Sequence, residues 1–260
     1  MAGIIETDVP DAGAEDRKPR IQTAERTVAV LLAIARSLDG MKAKEISDEL
    51  GLPRQVTYHL LHTLLGTGIL RRNLQNRYVL GLAAAPIAEG FRRQLAPPEI
   101  VAPRVRAAVA ATGETAYASG WVDGRIVVLA TARGRSAVQA AEVPHGFSGF
   151  AHARATGKLL LALADPATRN AYLTPEALTP VTSHTITDRD RLAEELREIA
   201  DQRYAVDEQE FSLGLCCLAV PFDGFDGQVA LGISVPASRF HANFDAYLEA
   251  LRRIARMTDE

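Results

Sequence analysis

The chain has 260 residues, 47% of them apolar and 23% charged, with a formal net charge of -3, enough for one or two soluble domains with buried cores. No apolar run approaches the roughly 20 residues that cross a bilayer, the N-terminus lacks a basic-then-apolar secretory pattern, and the only cysteines, Cys216 and Cys217, are adjacent. These features argue against a membrane protein and a disulfide framework, and the cytoplasm is the expected location. Charge is unevenly spread. Residues 21–94 carry 10 basic against 6 acidic side chains, residues 95–260 carry 16 against 21, and residues 50–88 hold four arginines and no acid. A local positive field on an otherwise acidic molecule suits one face for phosphates.

Residues 1–20 are rich in Asp, Glu, Gly, Ala and Pro, and read as a disordered extension. A helix follows, with Thr23 as its N-cap and Val28, Leu31, Leu32 and Ala35 on one face. Ser37 to Gly40 stops it, and a short second helix runs from Ala43 to Leu50. Gly51 caps that helix and Pro53 opens a third, whose buried stripe is Val56, Leu60, Leu61, Leu64 and Leu65. Two short strands, 69–72 and 77–80, flank the polar loop 73–76 and read as a hairpin. Three helices and a hairpin within about sixty residues are the pattern of a winged helix-turn-helix, placed here at 21–81. A linker helix, 82–97, leads to Ala96-Pro97-Pro98 as a domain junction.

Residues 98–260 read as a mixed domain. Helices are expected at 99–111, 155–164, 166–172, 188–202 and 241–257, and strands at 114–121, 125–132, 203–208, 214–221 and 227–235. Asp123-Gly124 and Asp226-Gly227 supply turns. Without regular βαβ alternation, these elements predict an antiparallel sheet flanked by helices, and an α+β fold class for the whole chain.

In a helix-turn-helix the second helix of the pair enters the major groove. Opposite the leucine stripe, the helix after Pro53 presents Arg54, Gln55, Tyr58, His59 and His62, with Thr57 nearby. Arg54 can chelate guanine and Gln55 adenine, while Thr57 and Tyr58 suit phosphates. The hairpin adds Arg71, Arg72, Asn76 and Arg77. On this reading Arg54→Ala cuts specific binding, and Arg72→Ala weakens binding to all DNA about equally.

At this point the chain resembles the IclR family of bacterial transcriptional regulators. The likeness runs through Glu25 to Leu32, Glu45 to Arg54, Leu60 to Leu64 with Gly68, and Arg77 to Gly81. It continues through Thr112 to Thr115, His152-Ala153 with Gly157 to Ala162, Tyr204 to Glu208, and Gly214-Leu215 through Ala219 to Pro221. The resemblance implies a GAF-like effector domain at 98–260 and a homodimer through the DNA-binding domains, often a dimer of dimers. It also implies a small effector, commonly a carboxylic or aromatic acid, that alters operator affinity or contact with RNA polymerase. The family's effector pocket maps onto Ala151, His152, Asp207, Leu215, Cys217, Gly232 and Ser234. The chain departs from the family at Gln55-Val56, where Ser-Thr is frequent, at His59, where Arg is frequent, and at Arg154, where many members carry a small residue.

A small acid needs hydrogen-bond donors, from a Gly-containing loop or a helix N-terminus. The segment Gly149 to Gly157 supplies such a loop before the helix carrying Lys158. His152 is read either beside the ligand or as a tie from loop to backbone. Lys158 is read either as solvated or, with Arg154, as close to the ligand. No cofactor, metal or catalytic residue is called for. Gly146-Phe147-Ser148-Gly149-Phe150 fails as a nucleophile elbow at its last position, Thr156-Gly157-Lys158 fails as a Walker motif, and His145, His152 and His184 match no metal spacing. The alternative function is a metabolite-processing enzyme whose winged helix only dimerises.

Overall fold

The computed structural model describes residues 21–94, 99–136, 143–174, 177–222 and 228–257. The 1–20 extension, the Ala96-Pro97-Pro98 junction and the Asp226-Gly227 turn lie outside the described residues. Contacts divide the chain into two units, one ending at Gln94 and one beginning at Leu95.

The first unit holds helices α1 (Gln22–Arg36), α2 (Ala43–Glu49) and α3 (Arg54–Gly66), strands β1 (Leu70–Arg72) and β2 (Tyr78–Leu80), and helix α4 (Ala85–Gln94). Its core gathers Val30 and Ile34 from α1, Ile46 from α2, Leu60, Leu61 and Leu64 from α3, and Leu70 and Tyr78 from the ribbon. The buried face of α1 is therefore Val30, Ala33 and Ile34; of the expected Val28, Leu31, Leu32 and Ala35 only Leu31 packs against this core, while Val28 and Leu32 are 53% and 50% exposed. Helix α3 keeps its expected stripe, with Leu60, Leu61 and Leu64 buried and Val56 and Leu65 half-buried against the same core, and Thr57 is fully buried beside them. Met41 exchanges two backbone hydrogen bonds with Tyr78, at 3.0 and 2.7 Å, and so adds a short third strand to the ribbon. Gly40 makes that approach possible. It has φ +77°, and a Cβ there would lie 2.5 Å from the Tyr78 carbonyl oxygen.

The second unit begins with α5 (Val101–Thr112), followed by β3 (Thr115–Val122) and β4 (Arg125–Ala132). Next come α6 (Ala155–Leu163), α7 (Pro166–Tyr172) and α8 (Arg189–Gln202), then β5 (Ala205–Glu208), β6 (Leu215–Phe222) and β7 (Val229–Pro236), and finally α9 (Ala237–Phe240) and α10 (Phe244–Ala255). The expected helix over 241–257 thus opens as a tight turn, His241–Asn243, before α10, and α9 precedes it. The five strands form one antiparallel sheet in the order β4-β3-β7-β6-β5.

Strand alternation splits the core into two layers. Leu218, Val220, Leu231 and Ile233 face α5 and α10. Cys217, Ala219 and Ala230 face α6, behind which α8 packs. The α6 face is built from small residues because α6 itself comes close. A Cβ on Gly157 would meet the Ala151 carbonyl oxygen at 2.2 Å, and one on Gly232 would meet Thr156 Cγ2 at 2.9 Å. Glu114, buried at the start of β3, receives both Nε and Nη2 of Arg239 at 2.7 Å and the Tyr247 hydroxyl at 3.1 Å. This bidentate pair ties the sheet to α9 and α10.

Candidate DNA-binding face and effector site

Helix α3 turns its leucines inward and leaves Arg54, Gln55, Tyr58, His59 and His62 exposed along the opposite side. No acidic side chain lies on the helix. Thr57 departs from the expected role. It is wholly buried and its hydroxyl donates to the Pro53 carbonyl at 3.3 Å, so it has no reach to a phosphate.

The ribbon arginines differ from one another. Arg71 is exposed. Arg72 is exposed but braced: it donates to Asn76 Oδ1 at 2.9 Å and to the Tyr78 hydroxyl at 2.7 Å, and its guanidinium lies 4.9 Å from the Tyr78 ring centre. Asn76 thereby positions Arg72. Arg77 corrects a further expectation. Its Nε donates to the Gly40 carbonyl at 2.8 Å and its Nη2 to Glu45 at 2.7 Å, so its charge is spent inside the unit. Lys42, which sequence reasoning passed over, joins Arg71 and Gln75 around a groove of about 620 Å³ between the ribbon and the α1–α2 turn.

In the second unit, register brings three of the expected effector residues into one row. Asp207 on β5 pairs with Cys217 on β6, which pairs with Ser234 on β7. All three are buried, and the Cys217 thiol donates to Ser234 Oγ at 3.4 Å. Leu215 lies two residues before Cys217 on β6, half-buried. Gly232 occupies the next row, opposite Tyr117, where it admits Thr156. Ala151 and His152 form a tight turn ahead of α6. His152 Nε2 donates to the Thr179 carbonyl at 3.0 Å, which ties the loop down and leaves Nδ1 as a buried acceptor without a partner. Burial holds this imidazole below its ordinary pKa, so it is neutral near pH 7.

The electrostatics come from groups the sequence did not place. Lys158 on α6 is fully buried and pairs with both Glu195 on α8 and Glu210 after β5. Burial pulls its pKa down, but the two glutamates more than offset this and keep it an ammonium. It is neither solvated nor free for a ligand. Asp207 Oδ1 accepts the backbone N–H of Glu210 at 2.6 Å and of Phe211 at 3.3 Å. Its carboxyl is nevertheless pushed up to about 7, first by burial and then by Glu210. Arg154, 2% exposed, donates from Nε to the Gly149 carbonyl at 2.9 Å and from Nη2 to that of Ile126 at 3.4 Å. Burial pushes the pKa values of the Tyr117 hydroxyl and the Cys217 thiol well above their usual ranges.

A cleft of about 680 Å³ opens between α8, β5 and α9, on the other side of the Lys158 ion pairs. Five glutamates line it, which makes it a poor host for an anion. Among the described residues, Glu208, Cys216 and His241 bring possible metal-ligand atoms within 4.8 Å of one another, but not His145, His152 or His184. Cys216 belongs to the apolar core there, its thiol pushed up to about 11 by burial.

Residues 23–74 match the model of the IclR helix-turn-helix domain, and residues 98–260 match that of the bacterial transcriptional regulator IclR C-terminal domain. The chain belongs to the IclR family. It is 30% identical over 251 residues to the HTH-type transcriptional regulator BhcR of Paracoccus denitrificans, covering 94% of this chain and 89% of that one. Its fold is similar to a crystal structure of a transcriptional regulator from Rhodococcus sp. RHA1, with a TM-score of 0.71, 23% identity, and coverage of 90% and 95%. It is also similar to an IclR homologue from Microbacterium hydrocarbonoxydans crystallised with 4-hydroxybenzoate, with a TM-score of 0.69, 20% identity, and coverage of 90% and 97%. This IclR-family chain is thus a DNA-binding transcriptional regulator, with a helix-turn-helix unit followed by a GAF-like antiparallel sheet. The relatives are named as regulators, which favours that function over the metabolite-processing alternative.

Proposed function

We propose that this regulator reads its operator with Arg54, Gln55, Tyr58 and His59 of α3, steadied on the backbone by Arg71 and by Arg72 as held by Asn76. The observation that carries this reading is the acid-free outer face of α3, where every side chain opposite the leucines is a donor able to reach a base edge or phosphate. The DNA-reading unit is assigned to 21–81, the linker helix to 82–97 and the sensing unit to 98–260.

The regulator acts as a homodimer, or a pair of dimers, because α1 and α4 carry large apolar side chains that stay exposed in the single chain: Val28 and Leu32 on α1, Ile87 on α4. An organic acid held between α6 and the Asp207–Cys217–Ser234 row alters operator affinity, directly or through contact with RNA polymerase. The Microbacterium relative's complex with 4-hydroxybenzoate supports an acid of that kind. The protein works in the cytoplasm and turns nothing over.

The test is fluorescence anisotropy on DNA upstream of the protein's own gene, against a scrambled duplex over a salt series. Specific binding should exceed scrambled binding, and Arg54→Ala should cut that ratio about 5- to 150-fold, corresponding to about 1–3 kcal/mol of discrimination. A ratio unchanged in Arg54→Ala would remove α3 from base readout.

A further inference from the structure

Among the described residues of the second unit, Arg154, the residue that caps α6, is a buried cation with no carboxylate in direct contact. A guanidinium stays charged in proteins and carries five N–H donors. Here it is 2% exposed, and two of its nitrogens reach only backbone carbonyls, those of Gly149 and Ile126. The Phe147 ring lies 5.3 Å from it. The third nitrogen, Nη1, is buried without any hydrogen-bond partner. One helical turn on, Lys158 shows how the same site compensates a cation, with two glutamates in direct contact. Among the described residues no carboxylate makes such a contact with Arg154.

The acidic groups that face Arg154 are the hydroxyls of Tyr172 on α7 and Tyr117 on β3, the Cys217 thiol and the Asp207 carboxyl. Burial keeps the first three neutral, and Asp207 is half-protonated near neutrality. An uncompensated buried cation is unfavourable, and a missing counter-charge is the simplest completion of it. The Nη1 amino group offers two N–H donors to that charge. Its surroundings are aromatic: Phe147 contacts Phe211 edge-on at 5.9 Å, and Tyr172 contacts Trp121 at the same distance. A second negative charge on the ligand would meet Asp207, so the fit is to one carboxylate on an otherwise neutral body.

We infer that Arg154 is the carboxylate receptor of the sensing site: an organic monocarboxylate sets its oxygens on Nη1 and its body against the rings of Tyr117 and Phe147. The inference deepens the effector reading above and rests on it. It assigns the anion to Arg154 and not to Lys158, whose charge is already matched, and not to the glutamate-lined cleft beyond it.

The test uses the full-length protein in thermal-shift and calorimetric titrations with benzoate, 4-hydroxybenzoate, acetate and pyruvate, each beside its amide at matched chloride. At least one acid should raise the melting temperature where its amide does not. Arg154→Met should lose that shift and keep a ligand-free melting temperature at or above that of the parent, since an uncompensated charge has been removed. Arg154→Lys keeps a cation but loses the guanidinium fork, and should retain the shift at tenfold or more higher ligand. An acid-specific shift that survives in Arg154→Met overturns the proposal. So does a panel in which no acid exceeds its amide, and so does a ligand-free collapse of Arg154→Met with Arg154→Lys stable but unresponsive to acids, which would make the residue a loop brace. Operator binding separates the two levels of the argument. If amides bind and change operator affinity as well as their acids, the sensing site stands and Arg154 as receptor falls. If acids bind through Arg154 and operator affinity does not move, the receptor stands and the regulatory coupling falls.

Discussion

Arg71 and Arg77 flank one ribbon yet differ in what their charge is doing. Arg71 points to solvent, while Arg77 is bonded to the Gly40 carbonyl and to Glu45 and closes the turn before α2 onto β2. Phosphate contact by Arg71 predicts that Arg71→Ala weakens specific and scrambled DNA alike and lowers the slope of log affinity against log salt by about 0.9, with the melting temperature unmoved. Arg77→Ala should do the reverse. It removes a partly exposed ion pair and a carbonyl contact and costs about 1 kcal/mol of stability, with the ratio of specific to scrambled binding preserved. Thermal melts and anisotropy on the two variants decide the matter; a stable Arg77→Ala protein with a reduced salt slope would return that residue to the DNA. From sequence these arginines look alike, because the partners that capture Arg77 lie 32 and 37 residues away. Thr57 escapes detection for a different reason: it is polar, so apolar periodicity does not mark it as buried, and its hydroxyl is satisfied within the helix by the Pro53 carbonyl. Buried cations are the hardest case. Lys and Arg are seldom fully buried unless paired, and the partners of Lys158 sit 37 and 52 residues along the chain.

Helix α1 shows what periodicity reveals of an element and what it leaves undecided. A helix was legible over 22–36, as was the helix-helix-helix-ribbon order after it, since apolar spacing and turn chemistry at Ser37–Gly40 and Gly51 agree. Two apolar stripes share the helix, however, and only packing distinguishes them: Val30, Ala33 and Ile34 enter the chain's own core, while Val28 and Leu32 stay outside. The expected face, Val28, Leu31, Leu32 and Ala35, straddles the two, since Leu31 packs against the core and Val28 and Leu32 do not. If the outer stripe is the seam with a second copy, Leu32→Glu should shift the assembly toward monomers in sedimentation velocity and weaken operator binding, because two half-sites would no longer be held together. The melting temperature of the first unit should change little, as Leu32 is already 50% exposed in the single chain. An unaltered sedimentation coefficient would place the seam elsewhere. The sheet was legible at the same level: the antiparallel strands and Asp123-Gly124 hairpin appear where expected, whereas the Asp207–Cys217–Ser234 row is a product of register between strands, which local pattern does not encode.

At the scale of the whole molecule, the buried polar layer between α6 and the sheet ties stability to pH. The groups that face Asp207 are Glu210 from its own loop, Lys158 from α6, Cys217 from β6, and Tyr117 and Arg154 from β3 and the α6 cap. Their net effect, with burial, lifts the Asp207 carboxyl from 3.8 to about 7. Between those values the folded chain holds a proton that the unfolded chain has released. Stability from this residue is therefore complete below about pH 4, is lost as pH rises toward 7, and is level above. Glu210, also raised by burial, acts in the same direction; His152, lowered by burial, acts in the opposite one below its ordinary pKa. Total stability consequently mixes opposing slopes, and the informative quantity is the difference between the parent and Asp207→Asn, which keeps an oxygen for the Glu210 and Phe211 amides but has no proton to exchange. The contributions of His152 and Glu210 largely cancel in that difference. The parent's advantage over Asp207→Asn should shrink between pH 5 and 7 by at most about 1.4 kcal/mol per pH unit and stop changing above about pH 8, as read from urea unfolding at about pH 5, 6, 7, 8 and 9. A difference that stays constant over the series, or grows with pH, would mean that Asp207 is ionised throughout and that Arg154 already has its counter-charge within the chain.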